Sequence, residues 1–215
     1  MDKQLEAKTK YLIENIPRLI KNFSYRQGPD LYFYKRVTDL RKRHPLKKLF
    51  NDSYFFELLY ATLTAWDMNA RGAKMKYFDE FKKNILKNQI LFEELDNLKL
   101  SQVNNKQFLQ AKKKIEELYE GLHLMKTEGK LVSNSKIMHF ILPDLIMPMD
   151  RQNTLIFFFG NTMESRAKFL KIIDSSWLIS KQLDLSKFLD DEWNRSIPKI
   201  IDNAIICNQS SKYRK

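Results

Sequence analysis

A lysine and an aspartate, Lys136 and Asp150, mark the most informative stretch of this chain. A lysine held near apolar groups loses its proton at moderate cost, and the neutral amine can attack an electrophilic carbon and form a Schiff base. A carboxylate that faces it can stabilise developing positive charge or help to deprotonate the nucleophile. Two plainer roles stay open, because Asp150 suits a helix N-cap and Lys136 suits a solvated lysine or a phosphate contact.

Residues 131–137 carry the second signal, a run of three small polar side chains just before Lys136: Ser133, Asn134 and Ser135. We expect these residues to form a short hairpin that opens a helix. Such a turn points free backbone N–H groups outward, and these suit a phosphate. The three side chains would add further donors.

Positive charge dominates the composition, since 38 Lys plus Arg against 26 Asp plus Glu give a net charge of +12. A polyanion, DNA or RNA, is therefore the expected partner. Seven cations fall between residues 35 and 48, a pattern that fits either a solvated face or a surface following phosphates. The candidate DNA contacts outside the hairpin are Lys42, Arg43 and Arg151.

Trp66, Met68 and His139 are weaker candidates, for a pocket that holds a base by stacking. Aromatics at helical spacing pack in a core more often than they line such a pocket, and a buried, hydrogen-bonded histidine is commoner than a catalytic one. No metal-ligand spacing joins the histidines. Cys207 is the single cysteine, which excludes a disulfide framework and any multi-cysteine zinc or iron–sulfur site. We therefore expect no metal and no cofactor.

Helical periodicity runs through most of the chain, whereas the alternation typical of strands is scarce. Only 5 glycines leave few places for tight hairpin turns. Helices are predicted over 54–66, 73–87, 90–98, 105–121, 163–173, 185–193 and 198–207. Pro143 ends the helix after Lys136, and Asp150 caps another helix that runs to Gly160. The predicted fold class is all-α.

Length and hydropathy bound the remaining possibilities. A chain of 215 residues suits one domain or two small lobes that share an interface. Neither a signal peptide nor an apolar run long enough to span a bilayer is visible. We expect an intracellular protein, in the cytoplasm or at the nucleoid or nucleus. It is expected to be a monomer and not to associate with a membrane.

The order hairpin, helix, proline-punctuated loop and aspartate at a helix start resembles the helix-hairpin-helix DNA glycosylase superfamily. In that family a hairpin of the form LxGxGxKTA precedes a helix, and the following loop ends in VDTxV. Lys136 matches the hairpin lysine, and Met149-Asp150 matches Val-Asp, so that Asp150 stands for the catalytic acid. Residues 55–68 and 108–122 match the early core helix and the helix that feeds the hairpin. The resemblance spans roughly residues 53–160.

Several positions depart from the family pattern. Ser133, Asn134 and Ser135 stand in place of the two hairpin glycines, and the family's optional four-cysteine cluster loop is absent. Arg151-Gln152-Asn153 replaces the usual residues after the aspartate. The spacing between Lys136 and Asp150 is also shorter than the lyase-type members show.

The resemblance implies a two-lobed helical protein whose cleft accepts a nucleotide flipped out of double-stranded DNA. Residues 53–160 would form the glycosylase-like core, with a helix-hairpin-helix-like element near 118–142, and residues 1–50 and 161–207 would pair as the second lobe. The implied reaction is removal of a damaged or unusual base, with strand cleavage at the abasic site if Lys136 forms the imine. Two alternatives are a non-catalytic DNA- or RNA-binding module on the same fold and a protein-interaction domain.

Overall fold

The computed structural model describes residues 3–24, 27–69 and 74–209. The prediction of an all-α fold is confirmed, since over these ranges the regular structure is helical. Met75 and Met125 pair in an isolated antiparallel bridge. Within the same ranges, no helix combines the length and apolar character that crossing a bilayer demands.

The helices follow one another with short connections. In chain order they are α1 (Lys3–Asn22), α2 (Pro29–Arg43), α3 (Leu46–Leu49), α4 (Ser53–Ala65), α5 (Phe78–Lys87), α6 (Gln89–Leu95), α7 (Asn105–Gly121), α8 (Leu131–Ile141), α9 (Ile156–Phe159), α10 (Arg166–Gln182) and α11 (Ile197–Gln209). A π-helical turn, Arg151–Leu155, leads directly into α9, and a 3₁₀ turn, Ser186–Phe188, follows α10.

Side chains cap the first turns of helices α4 and α7. The Asp52 carboxylate accepts the Tyr54 N–H at the start of α4, at 2.9 Å. Asn104 and Gln107 exchange side-chain and backbone hydrogen bonds at the start of α7, the reciprocal arrangement called a capping box. These bonds satisfy N–H groups that the first turn of a helix leaves without a partner.

The helices share one connected core of buried apolar side chains that reaches from α1 to α11. The first helix packs against α9, α10 and α11, near the end of the chain, whereas α2 packs against α4 and α8. Helix α7 contacts α6, α8 and α10. Residues from distant parts of the sequence are therefore brought together around α4, α8, α11 and the π-helical turn.

Helix α8 differs from the prediction. Residues 131–137 do not form a hairpin, because the helix already begins at Leu131 and runs to Ile141. Asn134 explains the difference, since its buried side-chain amide donates to the carbonyls of Tyr119 and Leu122 at 2.9 Å each. It thereby satisfies carbonyls that the end of α7 leaves free. The polar run before Lys136 faces the interior rather than a solvent-exposed turn.

Candidate active site

Lys136 lies on α8 with its amino group held against the end of α4. Its Nζ donates to the Trp66 carbonyl at 2.8 Å and lies 5.6 Å from the centroid of the Trp66 ring. The lysine is partly buried. A hydrogen bond and a cation–π contact to one residue fix the position of the amine.

The geometry of the α4 terminus supplies this acceptor. The last four carbonyls of a helix have no partner within the helix, and an ammonium there interacts favourably with the helix dipole. Asp67 adopts a left-handed conformation with φ of 62°, and the Met68 N–H bonds back to the Leu63 carbonyl at 3.0 Å. This is a helix C-terminal turn. It leaves the Trp66 carbonyl pointing at Lys136.

Burial governs the charge on Lys136. The pKa of Lys136 is lowered to about 8, chiefly because removal from water disfavours the ammonium, and the nearby cation Lys199 acts in the same direction. The negative charges of Asp150, Asp202 and Asp67 oppose this effect. Near pH 8 about half of the Lys136 side chains therefore carry a neutral, nucleophilic amine.

Asp150 caps the π-helical turn at the mouth of α9. One carboxylate oxygen accepts the Asn153 backbone N–H at 2.5 Å, and the other accepts the Asn153 side-chain amide at 2.8 Å. The Asp150 N–H donates in turn to the Thr154 hydroxyl at 3.1 Å. Its predicted role as a cap is confirmed. Each oxygen retains accepting capacity, since a carboxylate offers about four lone-pair positions.

Ser135 joins the segments that carry the two candidate catalytic residues. Its hydroxyl accepts the Met149 N–H at 3.0 Å, so that the neighbour of Lys136 is bonded to the neighbour of Asp150. The bond is buried, where it is stronger than in water. Lys136 and Asp150 are thus brought to the same site, and Asp150 acts on Lys136 electrostatically while Trp66 receives its hydrogen bond.

The three predicted phosphate contacts before Lys136 serve the interior of the protein instead. Ser133, Asn134 and Ser135 are each at most 2 % exposed. Ser133 donates to the Asn134 side-chain oxygen at 3.1 Å. The expected phosphate contacts by these side chains are therefore wrong, because a helical backbone over 131–141 turns them toward α7 and the loop before Asp150.

The start of α8 already holds an internal anion. Glu164 accepts the N–H groups of Lys130 and Leu131 at 3.1 Å each. Its other oxygen accepts from Arg151 Nε at 2.6 Å. A carboxylate at a helix N-terminus is stabilised by the free N–H groups there. Arg151 itself is exposed, so its side chain remains accessible to a binding partner.

The three residues predicted to line a base pocket differ in their exposure. Trp66 is partly buried, donates from Nε1 to the Asp30 carbonyl at 3.2 Å, and packs edge-on against Phe140. Met68 is 7 % exposed, and His139 is completely buried. Of the three, Trp66 alone combines access from outside with contact to Lys136.

His139 is a structural residue. Its Nδ1 lies 2.7 Å from the Ile146 carbonyl, which only accepts, so Nδ1 carries the hydrogen. Its Nε2, at 3.1 Å from the Tyr34 hydroxyl, then accepts from Tyr34. Burial lowers the pKa of His139 to about 3, while the bond to Ile146 acts in the opposite direction. The ring stays neutral at physiological pH.

This neutral histidine predicts a loss of stability in acid. Between pH 6.5 and about 3 the unfolded chain binds a proton at His139 and the folded chain does not, so the free energy of unfolding falls as the pH falls. We expect the His139 contribution to decrease by roughly 2–3 kcal/mol between pH 7 and about pH 4.5. Urea unfolding of the wild type and His139→Gln at both pH values measures it. The exposed His123, changed to Gln, is the control, and an unchanged pH dependence in His139→Gln would contradict the prediction.

Lys42 and Arg43 lie exposed at the end of α2. Lys42 lines two open surface grooves of about 760 and 510 Å³, and Arg43 lines the smaller one. Both grooves also include Lys99, Asp144 and Arg195, whereas Lys136 and Asp150 belong to neither. The two basic residues therefore mark a surface separate from the immediate surroundings of Lys136.

Sequence reasoning missed two charged residues of the site, Lys199 and Asp202 on α11. A signal was available, because two charges three residues apart interrupt an otherwise apolar helix. Charged residues at buried positions occur mainly as pairs. Among the described residues, no three His, Cys, Asp or Glu side chains are grouped so that they could hold a metal ion.

No family model, no curated protein and no solved structure matches this chain.

Proposed function

We propose that this protein is a DNA glycosylase in which Lys136 acts as the nucleophile at the sugar C1′ of a nucleotide whose damaged or unusual base is flipped out of double-stranded DNA. One observation carries the proposal: a partly buried lysine with a pKa near 8 is fixed beside Trp66 and next to the Asp150 charge. Nucleophilic attack requires the neutral amine, and a pKa of about 8 makes a far larger neutral fraction available near physiological pH than an ordinary lysine has. Trp66 offers an aromatic surface on which an unstacked base can stack.

The proposed reaction begins with attack of the Lys136 nitrogen on the sugar C1′. The new C1′–N bond forms as the glycosidic bond breaks, and the base departs with that electron pair and takes up the proton that the nitrogen releases. The sugar ring then opens between C1′ and O4′, with a proton going to O4′, and an imine remains. Loss of a C2′ proton and of the 3′ phosphate would complete strand cleavage.

Asp150 is proposed to stabilise positive charge on the sugar during this attack. Its carboxylate is anchored by Asn153 on the π-helical turn, so its position needs little rearrangement. Fixed charges of this kind stabilise a transition state more effectively than mobile solvent does. If Lys136 served only to contact phosphate, Asp150 alone could activate a water for hydrolysis without an imine.

The positive net charge supports DNA as the partner. A charge of +12 favours phosphate neutralisation, and Lys42, Arg43 and Arg151 are exposed cations that can supply it. The Lys42 and Arg43 contacts would lie along α2, and the Arg151 contact directly beside Asp150. Binding of this kind weakens steeply as salt is added.

A second candidate function is a non-catalytic nucleic-acid-binding module. Two observations favour it: both Asp150 oxygens are engaged by Asn153, and Glu164 fills the α8 start that a phosphate would occupy in a hairpin. A protein-interaction domain is the third candidate, and it predicts no salt-dependent affinity for DNA.

Fluorescence anisotropy on duplexes with and without a stable abasic-site analogue tests the proposal, at low and at moderate salt. We expect clear preference for the abasic duplex, because it lacks the base whose unstacking costs a few kcal/mol. Equal, salt-sensitive binding to both duplexes would favour the non-catalytic module and contradict the glycosylase. Absence of binding to either would contradict both and leave the protein-interaction domain.

A further inference from the structure

An ion pair is buried in α11 beneath the candidate active site. Lys199 Nζ lies 2.6 Å from an oxygen of Asp202, three residues further along the helix. Lys199 is 3 % and Asp202 4 % exposed. Burying two charges costs several kcal/mol for each ion, and replacement of such pairs by apolar residues is often neutral or stabilising. Packing alone therefore gives no reason for this pair.

Lys199 of this pair contacts the same indole ring that holds Lys136. Lys199 Nζ lies 5.1 Å from the centroid of the Trp66 ring and 5.3 Å from that of Trp193. Lys136 Nζ lies 5.6 Å from the Trp66 centroid and bonds the Trp66 carbonyl. Two ammonium groups thus share one aromatic residue, and the carboxylate of Asp202 is bonded to one of them.

We propose that Lys199 and Asp202 are positioning residues that control the charge on Lys136, Lys199 across the Trp66 ring that both lysines contact and Asp202 through space. The inference rests on the proposed function in so far as Lys136 is the nucleophile. Neither residue touches the reacting atoms. Their effect is on the fraction of Lys136 that is neutral and able to attack.

The charges that face these groups determine the sign of each effect. Asp150, Asp202 and Asp67 favour the ammonium form of Lys136, and Lys199 opposes it. Burial raises the pKa of Asp202, Lys199 and Lys136 lower it, and Asp150 raises it. The effect of Asp202 on Lys136 exceeds that of Lys199. Removal of Asp202 therefore lowers the midpoint of the Lys136 titration.

The test is the titration of Lys136 in the free protein, followed by NMR of lysines labelled with ¹³C at the ε position. Loss of one signal in Lys136→Met assigns the resonance. Asp202→Asn removes an attractive charge, so we expect the Lys136 midpoint to fall by roughly half a pH unit. Lys199→Met removes a repulsive charge but also the cation that keeps the buried Asp202 ionised, so the sign of the coupling is read from Asp202→Asn.

A matched control and a double variant complete the experiment. Asp174→Asn removes the partner of Lys112 in a more exposed pair, at 2.6 Å, and is expected to leave the Lys136 midpoint unchanged. The double variant Lys199→Met, Asp202→Asn leaves neither charge unpaired and remains available if a single variant fails to fold. Because Asp202 affects Lys136 more than Lys199 does, the Lys136 midpoint in the double variant is expected to fall, but by less than in Asp202→Asn alone.

An unshifted or raised Lys136 midpoint in folded Asp202→Asn would overturn the inference. The titration needs no DNA, so it is separable from the proposed function. Expected shifts without any covalent DNA adduct would reject the glycosylase and retain the coupling. Unshifted midpoints with a Lys136 adduct would reject the coupling alone.

Discussion

Replacement of Lys136 with methionine is expected to abolish the borohydride-trapped covalent DNA adduct that we propose for the wild-type protein. Borohydride reduces the imine at C1′, and only an amine nitrogen can form that imine. The loss is expected to be complete, because methionine keeps the length of the side chain and removes the nucleophile. Denaturing gel electrophoresis of labelled DNA after reduction measures the adduct.

The pH dependence of the adduct sharpens this result. In the wild type the neutral fraction of Lys136 rises through a pKa of about 8 and falls about tenfold for each pH unit below it. The rate of adduct formation should follow the same curve. Methionine also removes the cost of a buried charge, so Lys136→Met is expected to fold at least as stably as the wild type at pH 7. Loss of the adduct then cannot be assigned to unfolding.

Lys130 provides the matched lysine control. It precedes α8, and its Nζ bonds the Glu120 carbonyl at 2.8 Å, away from Trp66. Lys130→Met should retain the adduct. An adduct of undiminished yield in Lys136→Met would show that a different amine reacts, and the assignment of Lys136 as nucleophile would be wrong.

Asp150→Asn is expected to reduce base release by a factor of roughly 10² to 10⁴ while DNA binding stays within a few-fold of the wild type. The substitution removes the negative charge near the sugar but leaves a side-chain oxygen that can accept the Asn153 N–H. Asparagine is as good an N-cap as aspartate. The π-helical turn should therefore persist. Single-turnover kinetics and anisotropy on the same duplex separate the two effects.

Asp52→Asn is the control for the capping role. Asp52 caps α4 by accepting the Tyr54 N–H, as Asp150 caps the π-helical turn. The Asp52→Asn protein should therefore retain both activity and DNA binding. Unchanged turnover in Asp150→Asn would leave Asp150 as a cap alone. Equal losses of turnover and DNA binding would also contradict the proposal, because they would indicate a general defect of the surface.

Local patterns predicted much of the helical structure, because a helix start depends on residues a few positions apart. The predicted segment 105–121 coincides with α7, where Asn104 and Gln107 form a local capping box. The predicted cap at Asp150 and the end at Gly160, which adopts φ of 66°, were likewise correct. By contrast, residues 185–193 hold one 3₁₀ turn rather than the predicted helix.

The sequence by itself determined the fold class, the positive charge and the presence of Lys136 and Asp150 as candidate reactive groups. Only the tertiary structure decided that residues 131–137 are helical, since Asn134 is held by the end of α7. It also decided the surroundings of Lys136, because Trp66 and the Lys199–Asp202 pair reach it from α4 and α11. Local periodicity does not encode such contacts. The charge on a lysine depends on its burial and on charges brought near by packing, and these exist only once the chain has folded.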